Sequence, residues 1–120
     1  GAADKEVLAR LNLTWGQVEL EDEKGDLAVG LANAGRAVEK AEALGNPWIL
    51  WEARYLVARY QIRQGDPVDA AIPFRRASTI VDSIIIKLPL TARTAFQARD
   101  RLRHFREDLR TFEPLLLERW

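Results

Sequence analysis

Two identical dipeptides, Gly25-Asp26 and Gly65-Asp66, stand about 40 residues apart, each between two stretches of helical periodicity. The same shift matches Ala37 to Ala77 and Ala58 to Ala98. Self-similarity at that period is what a stack of helix pairs produces, each pair burying its face on the next. A chain of 120 residues has room for about three such repeats. With 48% hydrophobic and 30% charged residues it can fill a core inside a solvated surface.

Five helices are predicted from period and punctuation. The first runs from about Asp4 to Lys24, with Val7, Leu8, Leu11, Trp15 and Val18 as its apolar spacing. Gly25 ends it and Asp26 caps the second, whose Leu27, Leu31, Ala34, Val38 and Ala41 share a face up to Gly45. Asn46-Pro47 starts the third by a cap followed by Pro at the first helical position. Asp66-Pro67 repeats that device for the fourth, inside which Pro73 is expected to remove a backbone bond and bend the rod. The run Ile80–Ile86 reads as the buried back of that helix, and Lys87-Leu88-Pro89 closes it. The fifth spans Thr91 to about Phe112, and Pro114 breaks or restarts it before Trp120.

Composition argues against several function classes. Without cysteine there is neither a disulfide framework nor a thiolate metal site. The zero net charge gives no global attraction to nucleic acid or to an anionic membrane. The apolar run Ile84-Ile85-Ile86 stops at Lys87, far short of the ~20 residues of a membrane span. A cytoplasmic location is expected, and the missing methionine with the Gly1-Ala2 opening suggests a segment of a larger protein. The lone His104 lies among arginines with no thiol or serine near it, so it reads as a surface histidine and not a general base. Ser78 and Ser83 lack a nucleophile elbow. Glu19, Glu21, Asp22 and Glu23 lack the loop of a calcium site and read as a solvated helix end. No cofactor, no metal and no enzymatic activity are expected.

From Trp51 to Ile80 the chain resembles a tetratricopeptide repeat. Ala58, Gly65-Asp66, Ala70, Phe74 and Ala77 fill that family's small, turn and aromatic places. The preceding segment matches at Gly25-Asp26 and Ala37, with Gly30 in an alanine place and Ala34 in the aromatic one. The ~40-residue unit is similar to the longer repeats of bacterial multidomain signalling proteins, including large ATPase-type regulators. The resemblance implies an all-α, right-handed helical-repeat array: helix pair 4–45, helix pair 46–88, and a capping helix with tail over 89–120.

It also implies a non-catalytic scaffold that holds a peptide or helix in its concave groove, lined by the first helix of each pair. Carried over by the 40-residue shift, Trp15, Tyr55, Arg59, Arg63, Arg99 and Arg103 form a basic strip beside aromatics. Arginine forks suit carboxylates, so an acidic peptide is the expected partner. The plain alternative is that these arginines pair with acids inside the array. Self-association is a second reading, since acids predominate from Asp4 to Asp26 and bases from Arg93 to Arg110. Nucleic-acid binding through the arginine-rich last helix is weaker, because Asp100, Glu107 and Asp108 interleave with its bases. Trp48 and Trp51 read as core residues.

Overall fold

A computed structural model describes residues 1–117; these form six α-helices and, among them, no strand. They are α1 (Ala2–Glu21), α2 (Leu27–Leu44), α3 (Pro47–Arg63), α4 (Ala71–Lys87), α5 (Leu90–Gln97) and α6 (Asp100–Leu117). The helices α1 to α4 pack each on the next, α6 packs on α4 and α5, and α3, which also meets α1, occupies the centre. Trp120 lies outside the described residues.

Two of the expected caps form. The Asp26 carboxylate accepts from the backbone N–H groups of Ala28 and Val29, and the Asn46 side chain does the same for Trp48 and Ile49. Asp66 does not cap α4. Residues 66–70 run as turns and the helix starts at Ala71. Pro73 therefore falls in the first helical turn, where a missing N–H costs nothing, and it bends no rod. Pro114 does not stop the last helix, which continues through Leu117.

The predicted fifth helix is two. In a continuous helix Phe96 and Phe105, nine residues apart, would point in opposite directions, about 180° apart at ~100° per residue. Both are buried, with Leu102, in one cluster. The chain meets that demand by breaking at Ala98-Arg99 and restarting at Asp100.

Two apolar clusters flank α3. Its Ile49, Ala53, Leu56 and Tyr60 face Ala9, Leu13 and Leu20 of α1 and Ala34, Ala37 and Ala41 of α2. Its Trp51, Tyr55 and Ala58 face Phe74, Ala77 and Val81 of α4 and Leu102 and Phe105 of α6. Trp51 is core as expected, whereas Trp48 is more than one-third exposed and meets Phe96 edge-on at 5.3 Å. A part-buried polar link ties α1 to α2: the Asn12 side-chain amide donates to Asn33 Oδ1 at 2.9 Å and its own oxygen accepts from Lys40 Nζ at 2.5 Å.

The apolar stripe read from α1 is not its core face. Val7, Leu8, Leu11, Trp15 and Val18 are all exposed, while Ala9, Leu13, Gly16 and Leu20 are buried. Small residues on the buried face concealed it. The 40-residue register also holds only in part. On α2, and on α4 with its cap residue Ala70, the buried positions match at that shift: Gly30 with Ala70, Ala34 with Phe74, Ala37 with Ala77, Ala41 with Val81. On α1 and α3 the helix ends, Glu21 and Arg63, are 42 residues apart.

The two Gly-Asp turns differ accordingly. Gly65 has φ of 88°, in the left-handed region, and Asp66 N–H reaches back to Gln61 O at 2.8 Å, closing α3. Gly25 has no such φ; a Cβ there would come within 2.0 Å of the Glu19 carbonyl oxygen. One dipeptide solves two different steric problems.

Candidate interaction groove

The first helices of the two hairpins and α6 enclose a cavity of about 420 Å³. Gln17 and Glu21 come from α1; Glu52, Tyr55, Leu56 and Arg59 from α3; Asp100, Arg101, His104, Glu107 and Asp108 from α6. Buried Tyr55 and Leu56 make its floor. The Tyr55 hydroxyl donates to Asp108 Oδ2 at 2.5 Å, joining α3 to α6 across it. A neighbouring depression shares Glu21, Arg59 and Asp108 and adds Leu20, Ile62, Arg63 and Phe112, so the groove continues toward the C-terminal end of α3.

Carboxylates outnumber guanidinium groups here. Glu21, Glu52, Asp100, Glu107 and Asp108 face the cavity against Arg59 and Arg101. Burial raises the Glu52 pKa, opposed first by the Arg101 guanidinium 3.8 Å away and then by Arg10 and Arg99. The Tyr55 phenol is pushed upward by burial, then by its hydrogen bond to Asp108 and by the charge there. The Arg59 guanidinium lies 5.7 Å from the Tyr55 ring centroid.

Of the residues expected to form a basic strip, the groove holds Tyr55 and Arg59 in its centre and Arg63 at its end. Trp15, Arg99 and Arg103 are outside its lining. Trp15 is exposed on α1, with its indole N–H on Glu19 Oε1 at 3.2 Å. Arg99 is exposed and lies 5.7 Å from the rings of Trp48 and Phe96. Arg103 is 3.7 Å from Asp100. Among the described residues no ion pair involves Arg59 or Arg63.

The misplacement of Trp15 has a geometric origin. The 40-residue shift aligns the Gly-Asp dipeptides, but α1 ends four residues before Gly25 and α3 only two before Gly65, so α1 and α3 align at 42. Two residues rotate a helix face by about 200°. Trp15 thereby leaves the groove, and Gln17 and Glu21 enter it, as the equivalents of Arg59 and Arg63. On α6 the lining residues Asp100, Arg101, His104, Glu107 and Asp108 follow three- and four-residue steps, a face readable from sequence once the break before Asp100 is known.

The opposite side carries a more open depression of about 660 Å³, lined by Leu50, Arg54, Ile72, Arg75, Arg76, Thr79 and Ile80. It is a furrow between α3 and α4 alone, and its Arg54 already pairs with Glu42. Among the described residues no group of three or more His, Cys, Asp or Glu is placed to hold a metal ion, and no helix is long and apolar enough to cross a membrane. Comparison with protein-family models, with curated proteins and with solved structures gives no match.

Proposed function

We propose that the chain is a tetratricopeptide-like array and a non-catalytic protein-interaction module whose groove takes a basic peptide or helix from another protein. The array reading is supported by the paired small and aromatic positions that α2 and α4 bury at one shift and by Gly16 and Ala58, buried at the other. The binding reading is carried by the excess of carboxylates over guanidinium groups around the Tyr55 and Leu56 floor. Lysine or arginine side chains entering there meet Glu21, Glu107 and Asp108, the last held in place by Tyr55, while Tyr55 and Leu56 offer rigid apolar contact.

A second reading rests on Arg59 and Arg63, which have no ion-pair partner among the described residues and sit beside Ile62 and Phe112. There the groove's end would take a carboxylate. Fluorescence anisotropy with labelled lysine-rich and glutamate-rich decapeptides separates the two. The acidic groove binds the basic probe, loses it in Glu107→Lys with Asp100→Lys, and keeps it in Arg59→Glu with Arg63→Glu. Binding of the acidic probe, abolished by the arginine reversals, would transfer the site to the arginine end. Binding of neither removes the groove from the argument.

A further inference from the structure

The exposed face of α1 is apolar along a 3-4-3 spacing: Leu8, Leu11, Trp15 and Val18, with Val7 beside them. Their exposures are 49, 57, 58, 58 and 56% in that order. Side chains this open present on the order of 500 Å² of apolar surface, at the upper end for a patch on a monomer and usually functional at that size. The spacing is that of a coiled-coil seam, a and d positions of one and a half heptads. It lies across the helix from Ala9, Leu13, Gly16 and Leu20, which hold α1 to the domain.

We infer that this face docks on the same face of a second copy of the chain, the two α1 helices running antiparallel about a two-fold axis near Leu13. The sequence is symmetric about that point. A two-fold places Leu8 against Val18 of the other copy and Leu11 against its Trp15, so each of the four seam residues meets an apolar one, with Val7 at the margin. Two patches together bury roughly 1,000 Å², the threshold of a specific interface. Trp15 can be dehydrated without stranding a donor, because its indole N–H is already on Glu19 within its own chain.

Charge selects the orientation. Parallel helices would bring Glu19, Glu21, Asp22 and Glu23 of both copies together. The antiparallel pair sets that acidic end against the mixed Asp4, Lys5, Glu6 and Arg10, with Lys5 in the flanking position that faces Glu19 of the other copy. The inference does not depend on the groove, whose lining faces a different side of α1.

Sedimentation velocity across a concentration series is the test. The chain is expected to pass from monomer to dimer as concentration rises. Leu11→Glu and Trp15→Glu should each hold it monomeric with unchanged helicity by circular dichroism, since both positions are exposed. Thr14→Cys, on a chain otherwise free of cysteine, reads the orientation: it flanks the axis, so mild oxidation should give a covalent dimer. This variant keeps the test valid should either glutamate variant fail to fold. A monomer at every concentration overturns the inference, as does a dimer that both glutamate variants leave intact or a Thr14→Cys dimer that never cross-links.

Discussion

The Tyr60 hydroxyl donates to the backbone carbonyl of Gly16 at 2.5 Å, threading a phenol from α3 into the crossing of α1 and α2. The ring is fully buried, and the space it fills exists because Gly30 lacks a side chain. A Cβ at Gly30 would stand 1.8 Å from the Tyr60 oxygen and 2.5 Å from the ring carbon that bears it. At Gly16 the nearest atom would be Leu56 Cδ2 at 2.8 Å, the end of a flexible side chain.

The two glycines should therefore respond differently to alanine. A helical Gly→Ala gains up to about 1 kcal/mol of propensity, while overpacking costs typically about 1–3 kcal/mol. Gly16→Ala is expected to cost less than Gly30→Ala, because Leu56 can yield, while the Gly30 carbonyl oxygen at 3.2 Å keeps the substitution from being free. Gly30→Ala is expected to lose about 2 kcal/mol or more, since a rigid ring cannot yield. Removing the hydroxyl clears only the closest contact, so Gly30→Ala with Tyr60→Phe should destabilise less than the two separate losses added. Urea unfolding of Gly16→Ala, Gly30→Ala, Tyr60→Phe and the double variant measures this, and full additivity would mean that the ring moves aside.

Tyr55 and Tyr60 are the chain's only tyrosines, and burial raises the pKa of both above the ordinary 10.0, Asp108 assisting at Tyr55 and Glu19 at Tyr60. A raised pKa means that the folded chain holds its protons where the unfolded chain releases them. The stabilisation is complete below pH 10 and falls away as pH rises above it. Phenolate absorption at pH 10 should accordingly be weaker in the folded protein than in the unfolded chain and rise together with unfolding. Tyr55→Phe is expected to flatten the alkaline loss of stability. A tyrosine that titrates reversibly near pH 10 in the folded state would contradict its burial.

Much of this architecture was legible in the residues. Helix starts at Asp26 and Asn46 and the stop at Gly65 came from local chemistry that the structure keeps, and the burial of Phe74 and Ala77 on α4 came from the family resemblance. What could not be read was rotation about a helix axis. The α1 helix has two opposed faces able to pack, and Leu8, Leu11, Trp15 and Val18 outweigh Ala9, Leu13 and Gly16 in apolar bulk, yet the smaller set allows the close approach to α2. The expected strip reaches the groove lining on α3 and misses it on α1 for the same reason: a two-residue difference in the distance from helix end to Gly-Asp leaves the dipeptide signal unchanged and turns the helix about 200°.

The break between α5 and α6 makes a packing prediction. Phe105 meets Trp51 at 5.7 Å, Tyr55 at 5.2 Å and Phe74 at 6.0 Å between ring centroids, whereas Phe96 has, among the described residues, only the Trp48 ring against it, with Arg99 beside it. Truncating a buried Phe costs about 3–5 kcal/mol, depending on how well the site can collapse. Phe105→Ala should fall at the upper end, because three rings lose a neighbour and the groove loses the support of α6. Phe96→Ala should fall at the lower end, because exposed Trp48 and Arg99 can settle into the gap. Thermal unfolding of the two variants gives the order; the reverse order would make α5, and not α6, the element that closes the core.

Glu52 and Arg101 supply the last prediction. Burial raises the Glu52 pKa above 4.5 in spite of the guanidinium opposite it, so the folded state disfavours the carboxylate on balance. With the folded pKa raised, the favourable contribution is complete below the ordinary carboxylate value and is lost as pH rises through the folded one. At neutral pH the wild-type chain has lost it, and Glu52→Gln should be the more stable of the two, the difference closing in acid. Arg101→Gln removes the main opposing charge. It should raise the Glu52 pKa further and destabilise at neutral pH, but do little once Glu52 is already Gln. Urea midpoints of the single and double variants at neutral and acid pH complete the cycle. A Glu52→Gln chain that is less stable at neutral pH would mean that the pair attracts more than burial costs.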